Sequence, residues 1–325
     1  MWKLLSWVKE HLSLSILISM IFGLIAGYFL DTSYLNNFIL PLTILMVFPM
    51  MVNLNIKQLF KKGDGKLIAI SQLVNFIVIP LVAYIIGLIF FKNQPLLFIG
   101  LMLMAVLPTS GMTISWTGFT KGNINAAVKI TILGLILGAF LGPVILNLFF
   151  DESVVIPAIK IIRQILIVVL IPMTTGLITR TLMIKRIGEQ KYNEKWKKRF
   201  PLLSVIGIVA VIFIATSLKA QAIINNPTLI LTIIIPVVIF YLFNFVLTTL
   251  LGKLVCKQNN KTALVYGTVM RNLSIALAIA MSAFGSEGST IALIIAVSYI
   301  FQVQFAALYV KAFNRIYREK LSESV

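Results

Sequence analysis

The sequence predicts an all-α membrane protein of ten transmembrane helices in two inverted five-helix repeats. Three observations carry that expectation. The chain of 325 residues is 59% hydrophobic and only 12% charged. Its uncharged runs, such as Asn93 to Thr120, Ile130 to Phe150 and Ala220 to Gly252, exceed the ~20 apolar residues a spanning helix needs. Solid apolar stretches of this kind exclude a β-barrel, whose strands would alternate over short segments. Finally, two polar interruptions, Pro108-Thr109-Ser110-Gly111 and Arg271-Asn272-Leu273-Ser274, fall in the fourth hydrophobic segment of each half. Pro108 precedes Gly122 by 14 positions and Arg271 precedes Gly285 by 14, so both breaks stand at the same distance from a segment end.

The ten segments follow from the charges that punctuate them. The first, 12–30, comes after Lys3 and Lys9; it is too long for the apolar region of a signal peptide and has no clear small-residue cleavage site, so it reads as a span. The second, 38–54, lies between Asp31 and the cluster Lys57, Lys61, Lys62, Lys66, and the third, 67–91, ends at Lys92. The fourth, 96–120, ends at Lys121 and the fifth, 124–150, at the acidic turn Asp151-Glu152. The sixth, 154–179, leads into a long basic loop from Arg180 to Phe200, after which the seventh, 201–218, ends at Lys219. The eighth, 227–252, the ninth, 262–284, and the tenth, 289–310, are separated by Lys253, Lys257 and Lys261 and then by Glu287.

These loops orient the chain. With the N-terminus inside, 22 of the 28 Lys and Arg residues fall on the cytoplasmic side, and only Lys92, Lys160, Arg163 and Lys219 on the other, as the positive-inside rule requires. The net charge of +18 is therefore an expression of topology, and nucleic acid is not an expected partner; the lipid bilayer is. Both termini are expected in the cytoplasm and the protein in the plasma (inner) membrane. Five spans in residues 1–150 and five in 151–325 make an odd-numbered duplication, so the second half must enter from the opposite side, the inverted repeat of many secondary transporters.

Some chemistries are excluded. The one cysteine, Cys256, lies in a polar loop and the one histidine, His11, before the first span, so neither a disulfide nor a His/Cys metal site forms in the membrane. An intramembrane enzyme would need a nucleophile with its base or paired carboxylates, and all ten acidic residues lie in loops or tails. No cofactor or metal is expected.

The breaks remain as the candidate site. Pro108 removes a backbone donor, Gly111 loosens the chain, and Thr109, Ser110 and Thr113 offer hydroxyls either to the freed backbone or to a solute; a plain proline kink is the simpler alternative. Ser115, Trp116 and Thr117 continue the polar character. Arg271 costs about 2.5–3.5 kcal/mol to insert at mid-membrane, and no segment supplies an acid to pair with it. It either caps the carbonyls of a broken helix or attracts an anionic or polar solute, with Asn272 and Ser274 beside it. Secondary candidates are Lys129, which either snorkels to the interface or adds a second cation to a cavity, and Asn75, Asn244 and Gln302, whose simplest role is to tie helices together. Gly23 and Gly27 have helix-packing spacing.

Three stretches make the chain similar to the superfamily of bile acid:sodium symporters and arsenite permeases, and most similar to the arsenite-permease branch. They are Pro41-Leu42-Thr43-Ile44-Leu45-Met46-Val47-Phe48-Pro49-Met50; Met112-Thr113-Ile114-Ser115-Trp116 with Thr120-Lys121-Gly122-Asn123; and Leu273-Ser274-Ile275-Ala276-Leu277-Ala278-Ile279-Ala280 leading to Phe284-Gly285. The resemblance implies a panel domain from segments one, two, six and seven, and a core domain from the other six, in which segments four and nine cross at their breaks. It also exposes two departures. Thr109 stands where the arsenite branch carries a cysteine, and no acid stands near Asn272, where coupled members place one.

The expected function is secondary transport of a small solute, an anion favoured by Arg271, by alternating access. Arsenite efflux and sodium-coupled uptake of an organic anion are the alternatives within the superfamily, and a non-transporting receptor or structural membrane protein the alternative outside it. Sodium coupling would lack an intramembrane carboxylate; instead the Arg271 guanidinium is expected to occupy the space a sodium ion would take.

Overall fold

The computed structural model describes residues 2–53, 63–150, 170–225 and 227–322, with Arg163 and Ile167. Every element named among them is helical. A short helix α1 (Trp2–Glu10) precedes α2 (Leu12–Phe29). Then come α3 (Ser33–Val52), α4 (Gly65–Phe90), α5 (Pro95–Val106), α6 (Gly111–Phe119) and α7 (Ile124–Phe149). The second half holds α8 (Ile171–Ile187), α9 (Glu189–Ser217), α10 (Ala220–Asn225), α11 (Thr228–Val255), α12 (Gln258–Val269), α13 (Leu273–Ala283) and α14 (Gly288–Ser322).

Seven helical runs, α2, α3, α4, α7, α9, α11 and Gly285–Phe313, which joins a short 3-10 turn to most of α14, are long and apolar enough to cross a membrane. The expected fourth and ninth segments are each divided, into α5 with α6 and α12 with α13. The expected sixth segment lies mostly outside the described residues, as do Asp151-Glu152, Lys160, Lys57, Lys61 and Lys62. Large apolar side chains stand exposed along the outer helices, Phe22, Phe29, Ile89, Phe140 and Leu148 among them. A patch of that extent is a liability in water and is satisfied by lipid.

One expectation needs correction. The basic stretch from Arg180 to Phe200, read as a loop, is helical nearly throughout: α8 continues to Ile187 and α9 begins at Glu189. The reversal is concentrated in Gly188, whose φ of 84° is accessible to glycine without a Cβ penalty. Charge marks the end of the apolar run, not the end of the helix.

Two groups of helices share close interfaces. In one, α9 packs on α2 and α3, and α8 on α3. Small residues set the spacing: a Cβ at Gly27 would press into the backbone of Ser217, and one at Gly207 would lie 2.7 Å from the Met46 nitrogen. Ser19 donates to the Val209 carbonyl at 2.7 Å across the same interface. At the end of α3, Asn53 donates to the Lys197 carbonyl at 2.8 Å, and the Tyr192 hydroxyl to the Val52 carbonyl at 3.0 Å; the Arg199 guanidinium covers the Trp2 ring at 4.8 Å. In the other group α13 packs on α14, α5 on α4 and α14, α11 on α12 and α14, and α6 and α12 on each other and on α7. The groups touch where α14 meets α2 and α9 and where α13 meets α3.

Candidate solute site at the helix breaks

The two interruptions lie against each other. Thr109 N–H donates to the Met270 carbonyl and Asn272 N–H to the Leu107 carbonyl, both at 2.9 Å, an isolated antiparallel bridge between Pro108 and Arg271. Backbone freed by one broken helix is thus satisfied by the other, which is the condition for unwound chain at membrane depth. Four half-helix ends meet there: the C-terminal ends of α5 and α12, and the N-terminal ends of α6 and α13.

The N-terminal ends are capped locally. Ser110 accepts from Met112 N–H at 3.2 Å while Thr113 accepts from Ser110 N–H at 3.4 Å, a reciprocal capping box. Asn272 accepts from Ile275 N–H at 3.2 Å. Thr113 also donates to the Tyr266 carbonyl at 3.2 Å, and Ser274 shares a 2.6 Å bond with the Tyr299 hydroxyl. Thr109 carries the strain of the turn. Its φ of 62° is a true outlier for a β-branched residue, and its hydroxyl donates to the Pro108 carbonyl at 2.7 Å and to the Thr131 carbonyl at 3.2 Å. Gly134 and Gly138 of α7 make room for it: a Cβ at Gly134 would lie 2.8 Å from the Thr109 hydroxyl, and one at Gly138 3.1 Å from Pro108 Cδ.

The C-terminal ends are capped by Arg271. Its side chain is fully buried. Nε donates to the Met104 carbonyl at 3.2 Å, Nη2 to the Ala105 carbonyl, and Nη1 to the Thr268 carbonyl and to Asn75 Oδ1, each at 2.7 Å. Three of the four acceptors are last-turn carbonyls of α5 and α12, which a helix cannot satisfy within itself and which bear the negative end of its dipole. Of the two roles the sequence left open for Arg271, this geometry is that of a helix-end cap.

Two residues hold the guanidinium in register. Asn75 lies in a π-helical turn, Val74–Val78, within α4, where Pro80 supplies no N–H for the Phe76 carbonyl and so favours the wider turn. It also donates to the Gly267 carbonyl at 2.9 Å. Gln302 of α14 clasps the Arg271 backbone, accepting from its N–H at 2.8 Å and donating to its carbonyl at 3.3 Å, while the Tyr241 hydroxyl donates to the same Gln302 oxygen at 3.1 Å.

Lys129 and Asn244 lie elsewhere. Lys129 does not enter the junction: it is 3% exposed, donates to the Gly63 carbonyl at 3.0 Å, and pairs with Asp64 at 3.3 Å in the turn before α4. Asn123 joins the same cluster, donating to Asp64 at 3.0 Å and to Asn260 at 2.8 Å, so the starts of α4, α7 and α12 are fastened together. Asn244 is buried in α11, and neither amide atom has a partner among the described residues. Sequence reasoning missed Asp64, Thr131, Gly134, Gly138, Tyr241 and Tyr299. The four-residue spacing of Gly134, Gly138 and Gly142 was a signal that could have located the close approach of α7.

The chain is similar to several known proteins. An arsenical-resistance protein of Alkaliphilus metalliredigens is 25% identical over 288 residues, covering 83% of this chain and 79% of its own length. Another, from Corynebacterium glutamicum, is 23% identical over 311 residues, 88% and 83% of the two chains. An uncharacterized sodium-dependent transporter of Bacillus subtilis is 27% identical over 169 residues, about half of each chain (52% and 50%). The model of the Sodium Bile acid symporter family matches residues 40–226, which include the first break and more than half of the chain. This protein, a non-enzymatic membrane transporter by descent, belongs to the Sodium Bile acid symporter family.

Proposed function

We propose that the chain carries a small polar or anionic solute across the cell membrane by rocking a six-helix core against a four-helix panel, with the paired breaks as the solute site. The carrying observation is the bridge between Pro108 and Arg271, which brings two broken segments to one point, as at the sites of inverted-repeat transporters. In this reading ten spans form two inverted repeats, 1–150 and 151–325, with segments one, two, six and seven as panel and both termini in the cytoplasm. The partial positive charge of the α6 and α13 N-termini favours negative or hydrogen-bond-accepting groups on the solute. The difference between the two half-helices supports an inward-open state. The described residues of α13 are buried from Leu273 through Met281 and pack on α3, whereas Gly111 and Ser115, one turn apart on α6, are exposed.

A second reading, arsenite efflux, is favoured by the match to arsenical-resistance proteins over most of the chain. The trihydroxide would then be held by hydroxyls, because Thr109 offers no thiol. A thermal-shift screen of purified protein against arsenite, phosphate, mono- and dicarboxylates and a sulfonated bile acid tests both. At least one solute is expected to raise the melting temperature, and Ser115→Trp, which fills the exposed face, is expected to remove that shift. If no solute stabilises the protein, or Ser115→Trp responds like wild type, the site assignment fails; protection of arsenite-sensitive cells on expression would select the second reading.

A further inference from the structure

We infer that Arg271 is a resident cation occupying a cation site built from the converging C-terminal ends of α5 and α12, so that the junction closes without a metal ion and transport draws on no sodium gradient. This rests on the transporter reading above and names its energetics. The argument starts from the oxygens. The carbonyls of Met104, Ala105 and Thr268 and the amide oxygen of Asn75 all point at one guanidinium. All four are neutral, and three carry the negative pole of a half-helix. Unwound carbonyls and half-helix C-termini are the groups that coordinate sodium in transporters with broken helices. Here that shell is filled by a planar donor fork that matches several acceptors at once.

Two further observations make a second cation unwelcome. The four acceptors are committed at hydrogen-bonding distance, and no acidic side chain among the described residues pairs with Arg271: Asp64 is spent on Lys129, Glu10 ends α1, Asp31 and Glu287 lie in turns, and Glu189 and Glu194 lie in the opening turns of α9. A sodium ion entering the junction would meet the fixed guanidinium with nothing to screen it. The residue is also fastened from behind, since Gln302 holds both its N–H and its carbonyl. An arginine engaged in this way is a permanent part of the crossing, and the element that moves must carry it.

The test compares wild type with Arg271→Ala and Arg271→Lys by thermal unfolding of the purified protein in detergent, at constant ionic strength, in choline, sodium or millimolar guanidinium chloride. Wild type is expected to melt at the same temperature in all three. Arg271→Ala is expected to melt several degrees lower in choline and to recover part of that loss in guanidinium or sodium, because the vacated shell then accepts a small cation. Arg271→Lys, which keeps the charge but reaches fewer carbonyls, should fall between. Sodium-dependent stabilisation of wild type would overturn the inference, as would a monodisperse Arg271→Ala that no small cation restores. Should Arg271→Ala fail to fold, the wild-type comparison and Arg271→Lys still decide, and a lysine variant that melts at the wild-type temperature counts against the idea. None of these readouts needs a solute, so their failure is separable from that of the proposed transport activity. Once a solute is found, its uptake into proteoliposomes should be unchanged when the sodium gradient is collapsed.

Discussion

The contact between α7 and the first break offers a quantitative test through Gly134→Ala. In an unencumbered helix this substitution stabilises, since alanine exceeds glycine in helix propensity by about 1 kcal/mol. At this position the added methyl would lie 2.8 Å from the Thr109 hydroxyl and 3.3 Å from its methyl, against 3.4–4 Å for ordinary contact. Thr109 cannot easily withdraw, because its hydroxyl is bonded to the Pro108 and Thr131 carbonyls and its N–H to Met270. Overpacking of a well-filled site costs about 1–3 kcal/mol, enough to reverse the sign of the propensity gain. Thr109→Gly removes both crowded atoms and also relieves a left-handed residue whose strain is of order 1–3 kcal/mol. In that background Gly134→Ala should regain its favourable sign. The two substitutions are therefore expected to couple by about 1–3 kcal/mol, read as a double-mutant cycle in melting temperature across the four proteins. Additive effects, or a Gly134→Ala single variant that melts above wild type, would refute the close approach.

Three further outcomes are expected. Asn75→Leu removes the only side-chain acceptor among the four described for the guanidinium and leaves a buried charged donor short of a bond, a loss of about 1.5–3 kcal/mol; a melting temperature equal to wild type would show that Asn75 is incidental. Lys129→Met and Asp64→Asn, made singly and together, should show favourable coupling of about 1 kcal/mol or more, since Lys129 is buried and the pair is less screened than a surface one; zero coupling would mean the starts of α4 and α7 are held by packing alone. Burial raises the pKa of the Cys256 thiol above its ordinary value, with the charges of Lys261 and Lys66 offsetting part of the effect. Because the thiolate is the reactive form, maleimide labelling should be slower than that of an exposed cysteine at neutral pH. The rate should go on climbing at pH values where an ordinary thiol has levelled off, and a rate already saturated near pH 8 would contradict the burial.

The legible parts of this protein were those set by solvent. Lipid demands long apolar helices with internally satisfied backbones, so seven of the ten expected segments could be read from hydropathy as helices long enough to span, and the two breaks announced themselves because Pro108 and Arg271 violate that demand. The Gly23–Gly27 spacing likewise foretold a close helix contact, now seen against Thr216 and Ser217. Helix ends were less legible: the basic residues after Arg180 mark the end of an apolar run, while the chain stays helical to Ile187 and again from Glu189 because charged side chains are good helix formers in water.

What Arg271 and Lys129 touch was decided only by tertiary structure. Sequence shows that a buried arginine needs partners and that no acid is near it in the chain. It does not show that Met104, Ala105 and Thr268, from two different half-helices, bring unsatisfied carbonyls to one point, or that Asp64 folds in to meet Lys129 across 65 residues. Those partners are main-chain atoms and distant loop residues. A carbonyl carries no side-chain identity, so its availability depends on where a helix stops and which other helix stops beside it, and long-range packing alone sets both.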